Sequence, residues 1–313
     1  NTEEHIFYFA NQIGYSEEER AHNIAALWQG AVHGKGGTVV WFWDRTGASQ
    51  KGGESYYSTL TERPATVAAI GKMTMDLNRL AKEVVSITES QANVGMLYSM
   101  DNTSYAMEYM NMIDTAYAKL GENGQKTQFI VESAMDKLKD VKCLVVPHVI
   151  TVKDSSFEAI EQFVGNGGKL VVLGKDSLAK DEYGHSRDTA KVAALLAKAE
   201  VVDVANSGSF VDAASKEKVG EVIRKVVREG NYSNISVIDK TTGKPLTDCE
   251  YLTAEYEGKT IINLCTYRDD DREIEIYVGG KKAEQFTDLI STETYSGSAQ
   301  VKAYTPMLIR IEG

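Results

Sequence analysis

A change of rhythm near residue 230 constrains this chain more than any single motif in it. Between residues 91 and 230, short apolar runs alternate with stretches of helical periodicity; the runs are NVGMLYS, TQFIVES, VKCLVVPHV, KLVVLG and EVVDVA. Neighbouring parallel strands need long crossovers, which these helical stretches supply, and the apolar core of VKCLVVPHV suits a strand buried on both faces. The pattern predicts a doubly wound, flavodoxin-like parallel sheet. From residue 231 the helices stop. ISVIDK, CEYLTAEYE, TIINLCTY, EIEIYV, QFTDLI and PMLIRIE are short runs separated by turns such as TTGK, EGK and GGKK. Such a series predicts a small antiparallel β-sandwich.

The first 90 residues follow a third pattern. Ala21, Ile24, Ala25, Leu27, Trp28 and Val32 form the apolar face of a helix that ends at Gly34. GKGGTVVWFWDR then gives a glycine turn, a β-branched run and a strand end at which Trp41 and Trp43 share one face and Phe42 takes the other. A second helix is expected from Pro64, carrying Val67, Ile70, Met73, Leu77, Leu80 and Val84 on one side. Strand end, helix, strand, loop, helix is a quarter of a (β/α)8 barrel, and a quarter barrel leaves sheet edges unpaired. Barrel ligands sit at the C-terminal ends of the strands, where Trp41, Trp43, Asp44 and Arg45 fall. The expected domains are therefore 1–90, a partial barrel; 91–230, a flavodoxin-like sheet; and 231–313, a sandwich.

Several functional classes can be set aside from composition and motifs. A net charge of -11 without a basic cluster argues against a nucleic-acid partner, whose phosphates need concentrated Lys and Arg. No apolar run reaches the length of a membrane span. Cys143, Cys249 and Cys265 fit no zinc spacing and read as buried thiols. The first strand of the alternating region leads into SMDNTSYAMEYM, which lacks the Gly-x-Gly-x-x-Gly turn of a dinucleotide site. After KLVVLG, where a glutamine amidotransferase would need a nucleophilic cysteine, the chain reads Gly174-Lys175-Asp176-Ser177. No cofactor and no metal are implied. The chain opens on NTEEHIFYF without Met and is expected to continue upstream.

Barrel end, flavodoxin-like domain and β-sandwich, in that order, resemble glycoside hydrolase family 42, the three-domain β-galactosidases. The segments TIINLCTY, DLIS and YTPMLIRI are similar to that family's terminal sandwich. The resemblance implies that NTEEHI ends the seventh barrel strand and VVWFWDR the eighth, with Glu3 as nucleophile of a retaining β-glycosidase. Such an enzyme needs a second carboxyl group roughly 5 Å away to protonate the leaving oxygen. That acid/base would lie at the end of strand four, outside this chain, so the chain by itself is expected to be inactive. Trp43 and Trp41 would carry the sugar ring, His5 would bond its hydroxyls, Arg45 would hold a neighbouring carboxylate, and Glu54 would reach the substrate from the following loop. Thr2-Glu3-Glu4-His5 departs from the family's Met-Glu-Ser-Pro-like run, which leaves the sugar open. The resemblance also implies a carbohydrate substrate, an upstream barrel partner and a homotrimer built through the flavodoxin-like domain. The alternative is a non-catalytic carbohydrate-binding or assembly module. The compartment stays open between the cytosol and a Gram-positive cell surface.

Overall fold

The computed structural model describes residues 4–5, 17–41, 64–105, 107–204 and 211–312. They divide into two compact units, one of Gln91–Ser236 and one drawn from Asn1–Ser90 together with Val237–Gly313.

The second of these begins with β1 (Glu4–His5), α1 (Glu17–Val32) and β2 (Val40–Trp41). The two strands pair in parallel, Glu4 beside Val40 and His5 beside Trp41. Strand, helix, parallel strand is the repeat from which a (β/α)8 barrel is built. α2 (Pro64–Arg79) starts on the proline, whose missing N–H costs nothing at a first helical position. The apolar periodicity predicts one helix through Val84, but the chain breaks at Leu80 and restarts as α3 (Ala81–Glu89). Leu80 and Val84 stay buried across the break, so the periodic signal continues although the helix does not.

The unit Gln91–Ser236 holds β3 (Val94–Tyr98), α4 (Met100–Tyr105), α5 (Met107–Gly121), β4 (Thr127–Val131) and β5 (Cys143–Pro147). A 3-10 segment, Glu132–Asp140, bridges the last two strands. α6 (Asp154–Gly165), β6 (Lys169–Leu173), α7 (Thr189–Leu196), β7 (Glu200–Val202) and α8 (Ala213–Glu229) complete it. All pairings are parallel, in the order β4-β3-β5-β6-β7, the flavodoxin-like arrangement. Every residue of β5 is buried, as its apolar run requires. Gly95 of β3 is needed for close packing, since a Cβ there would lie 2.9 Å from Cγ1 of Ile130. Asp212 caps α8 by accepting from the backbone N–H of Ser215 at 2.9 Å, and Asp188 caps α7 in the same way.

The chain then runs through β8 (Ile235–Asp239), β9 (Lys244–Pro245), β10 (Cys249–Tyr256), β11 (Lys259–Thr266), β12 (Arg272–Val278), β13 (Lys281–Lys282), β14 (Gln285–Asp288), β15 (Thr294–Ser296), β16 (Ala299–Val301) and β17 (Met307–Ile311). Two antiparallel sheets result. One has the order β10-β11-β17-β14-β15; the other has the order β13-β12-β8-β9, with β16 also paired to β12. The tight β10–β11 hairpin turns at Glu257 and Gly258, both at positive φ, as a two-residue turn matching strand twist demands. The barrel-type helices do not stand alone. Leu27, Trp28 and Val32 of α1, Met73 of α2 and Val84 and Ile87 of α3 share one core with Leu252 of β10, Ile261 of β11 and Leu308 of β17.

Candidate functional site

Two of the sequence-predicted site positions fall within the described backbone. His5 and Trp41 are direct register partners, so these two positions sit side by side on adjacent strands. Their side chains, and all of Glu3, Trp43, Arg45 and Glu54, lie outside the described residues.

Between these strands in the chain, α1 is held by buried polar groups that sequence reading did not single out as a set. Trp28 Nε1 donates to Asn263 Oδ1 at 2.7 Å, and Asn263 Nδ2 donates to Gln29 Oε1 at 2.7 Å. Gln29 Nε2 donates in turn to Glu250 Oε2 at 2.7 Å and lies 3.1 Å from the Tyr267 hydroxyl. Tyr267 donates to Glu250 Oε2 at 3.1 Å, and His33 Nε2 meets Glu250 Oε1 at 2.9 Å. Trp28, Gln29, Glu250 and Asn263 are all buried. A buried amide or carboxylate is tolerated only when its partners are present, and here each finds one. Tyr267 is 44% exposed as a residue, but partial desolvation of its phenol and the nearby charge of Glu250 both push it up, so its proton stays in the network. The one sequence signal for the network was the polar Asn263 inside the apolar run TIINLCTY, since an uncharged amide at a core position of a strand needs a partner.

In the parallel sheet, ligands of such folds enter at the C-terminal edge, where strand order reverses between β3 and β5. Asn102 is buried at that edge. Asn102 Nδ2 donates to the Thr151 carbonyl at 2.6 Å and to Ser99 Oγ at 2.8 Å, while its Oδ1 accepts from the N–H of Ile150 at 3.0 Å. His148 follows β5 at φ 55°, and its Nε2 lies 2.9 Å from Asp176 Oδ1. Gly174 lies against the imidazole; a Cβ there would come within 2.6 Å of His148 Cδ2. At this edge two non-glycine residues take positive φ, His148 after β5 and Leu178, whose N–H donates to the Val149 carbonyl. Cys143 is buried inside the same strand, and burial pushes its thiol up to about 12, the environment of an inert thiol. Arg187, itself buried, contacts Asp154 and the Val152 carbonyl and lies 4.7 Å from the Phe157 ring, pinning the 174–188 loop against α6. A cleft of about 800 Å3, with Phe163, Tyr232, Lys139, Lys142 and Lys169 on its wall, opens at the opposite, N-terminal end of the strands. Asn102 and Arg187 thus tie down the segments at the C-terminal edge of the sheet.

The match to a family is direct. A model of the β-galactosidase trimerisation domain covers residues 88–299, and the chain belongs to that family. Among solved structures, an exo-carrageenase of glycoside hydrolase family 42 from Bacteroides ovatus superposes with a TM-score of 0.74 at 17% identity, over 96% of this chain and 40% of that one. A β-galactosidase from Bacillus circulans sp. alkalophilus gives 0.68 at 16%, over 99% and 55%. One from Rahnella sp. R3 gives 0.67 at 14%, over 97% and 53%. At such identities the likeness is one of fold, and it confirms the expected partial barrel, flavodoxin-like sheet and sandwich. The chain spans about half the length of these structures. None of the curated proteins matches it. Among the described residues, no helix is long and apolar enough to cross a membrane.

Proposed function

We propose that this chain is the C-terminal part of a retaining β-glycosidase that works as a homotrimer, supplying two strands of the catalytic barrel and the domains that hold the assembly together. The observation that carries the reading is the parallel β1–β2 pair joined by α1, which has the form of two consecutive barrel strands. Membership of the trimerisation-domain family supports the assembly half of the reading.

On this reading Glu3, one residue before β1, is the nucleophile. It attacks the anomeric carbon while an acid on an upstream strand protonates the departing oxygen, and the same group, now a base, activates the water that releases the sugar. Trp43 and Trp41 pack on the C–H face of the ring, His5 bonds a hydroxyl, Arg45 keeps a neighbouring carboxylate ionised, and Glu54 contacts the substrate from the loop beyond β2. The substrate is a β-linked sugar; a galactoside is one member of that class.

The test is covalent trapping. The full native chain is incubated with activated 2-deoxy-2-fluoro-β-glycosides, whose fluorine slows the second step, and digested for peptide mass analysis. A glycosyl adduct on Glu3 is the expected result. An adduct on another carboxylate overturns the assignment of Glu3, and rapid turnover with inverted configuration overturns the mechanism.

A further inference from the structure

The trimer reading leaves open which surface joins the copies, and the inference drawn here rests on that reading. β4 is an edge strand of the parallel sheet, paired among the described residues with β3 alone. Its register with β3 runs unbroken over five residues, from Val94 beside Thr127 to Tyr98 beside Val131, without a bulge. Its sequence, Thr-Gln-Phe-Ile-Val, holds no proline, no glycine and no charge. Those are the devices by which a solitary sheet protects an exposed edge, and this edge has none of them.

The side chains add a second observation. Ile130 faces the core and is fully buried. Phe129 and Val131 face the other way and remain 44% and 37% exposed. Phe129 lies stacked on Tyr117 of α5, with ring centroids 6.1 Å apart and planes 9° from parallel, and edge-on to Tyr98 at 6.1 Å. Just past the end of β3, Met100 is 64% exposed. Rigid aromatics with a flanking methionine, set along an open strand, have the composition of the core of a protein interface rather than of free surface.

We infer that this rim of the parallel sheet, Phe129 and Val131 with Tyr98, Tyr117 and Met100, is where a second copy of the chain docks. The occupant follows from the family: the region matched as a trimerisation domain contains the whole of this edge. In a closed three-fold ring the contact is heterologous, so each copy offers its rim to a different surface of its neighbour, and one damaged rim per copy removes all three contacts.

The experiment is sedimentation velocity on the full native chain at micromolar concentration, with circular dichroism as a check of folding. The variants are Phe129→Glu with Val131→Lys, and Tyr183→Glu as a control, Tyr183 being 79% exposed at another place in the same unit. The expected result is a trimer for the native chain and the control, and a folded monomer for the double variant. A trimeric double variant overturns the assignment of the rim while leaving the trimer reading intact; a monomeric native chain overturns both. Should the double variant fail to fold, Phe129→Cys decides the matter by maleimide labelling of the native assembly. Labelling at least tenfold slower than that of Tyr183→Cys supports the rim, and equal rates overturn it.

Discussion

Asn263 is the residue on which the polar interior of the sandwich-side unit turns. Its amide satisfies the indole N–H of Trp28 and the carbonyl of Gln29, groups that are buried and have no water to fall back on. Asn263→Leu fits the site in size but orphans both partners, and should lower unfolding free energy by about 3 kcal/mol, read by chemical denaturation. An effect under about 1 kcal/mol would mean that the network is dispensable. A different sign of dependence is expected at Asp76. Burial pushes its carboxyl up, but hydrogen bonds from Lys72 and Arg79, at 2.6 and 2.8 Å, outweigh this and hold it below the usual range. A depressed folded pKa stabilises above the unfolded value of about 3.9 and is lost as pH falls through the folded one. Asp76→Asn should therefore lower the melting temperature at pH 7 and make it less sensitive to acid below about pH 4; parallel curves for the two proteins would refute this. The ion pairs of Asp76 sit at helical i,i+4 and i,i+3 spacing, but the pairing of Trp28 with Asn263 was not legible in sequence. Trp28 and Asn263 stand 235 positions apart, and only a folded chain says which amide meets which indole.

At the scale of elements, legibility followed apolar content. Four strands of the parallel sheet and the long strands of the sandwich stand out because each lies in an apolar run long enough to show its period, whereas β7, only Glu200–Val202, is marked by the longer run EVVDVA around it. β9, β13, β15 and β16, at two or three residues, are too short to show one, and their pairing is imposed by neighbours. α4 was invisible for another reason: MDNTSY has no apolar face, and the turn is held by Asn102 reaching to Thr151. The candidate site was legible in the same uneven way. The adjacency of His5 and Trp41 follows from reading strand, helix, strand as a parallel unit, whereas the lock at the sheet's C-terminal edge depends on Gly174, whose need for positive φ shows only in the fold. Gly174→Ala both strains the backbone at φ 91° and drives a methyl into the His148 ring. It should cost about 2 kcal/mol or more and loosen the loop up to Arg187, seen as faster amide exchange there. Unchanged exchange would mean that the loop is held by Arg187 without help from this contact.

The whole molecule combines three architectures in an order shared with the family 42 structures it resembles in fold. Two consecutive barrel strands cannot close a barrel or bury their own edges. Helices α1 to α3 share a core and a polar network with the terminal sandwich, and through them the sandwich fixes the last barrel helices in place. The central proposal is that Glu3 is the nucleophile of a β-glycosidase. The most direct measurement is the hydrolysis of a panel of aryl β-glycosides by the full native chain and by its Glu3→Gln variant. The account predicts cleavage of at least one glycoside by the native protein and a loss of about three orders of magnitude or more in kcat for the variant, with the trimer intact. A native chain that binds sugar but cleaves none of the panel, or a variant as fast as the native enzyme, would contradict it.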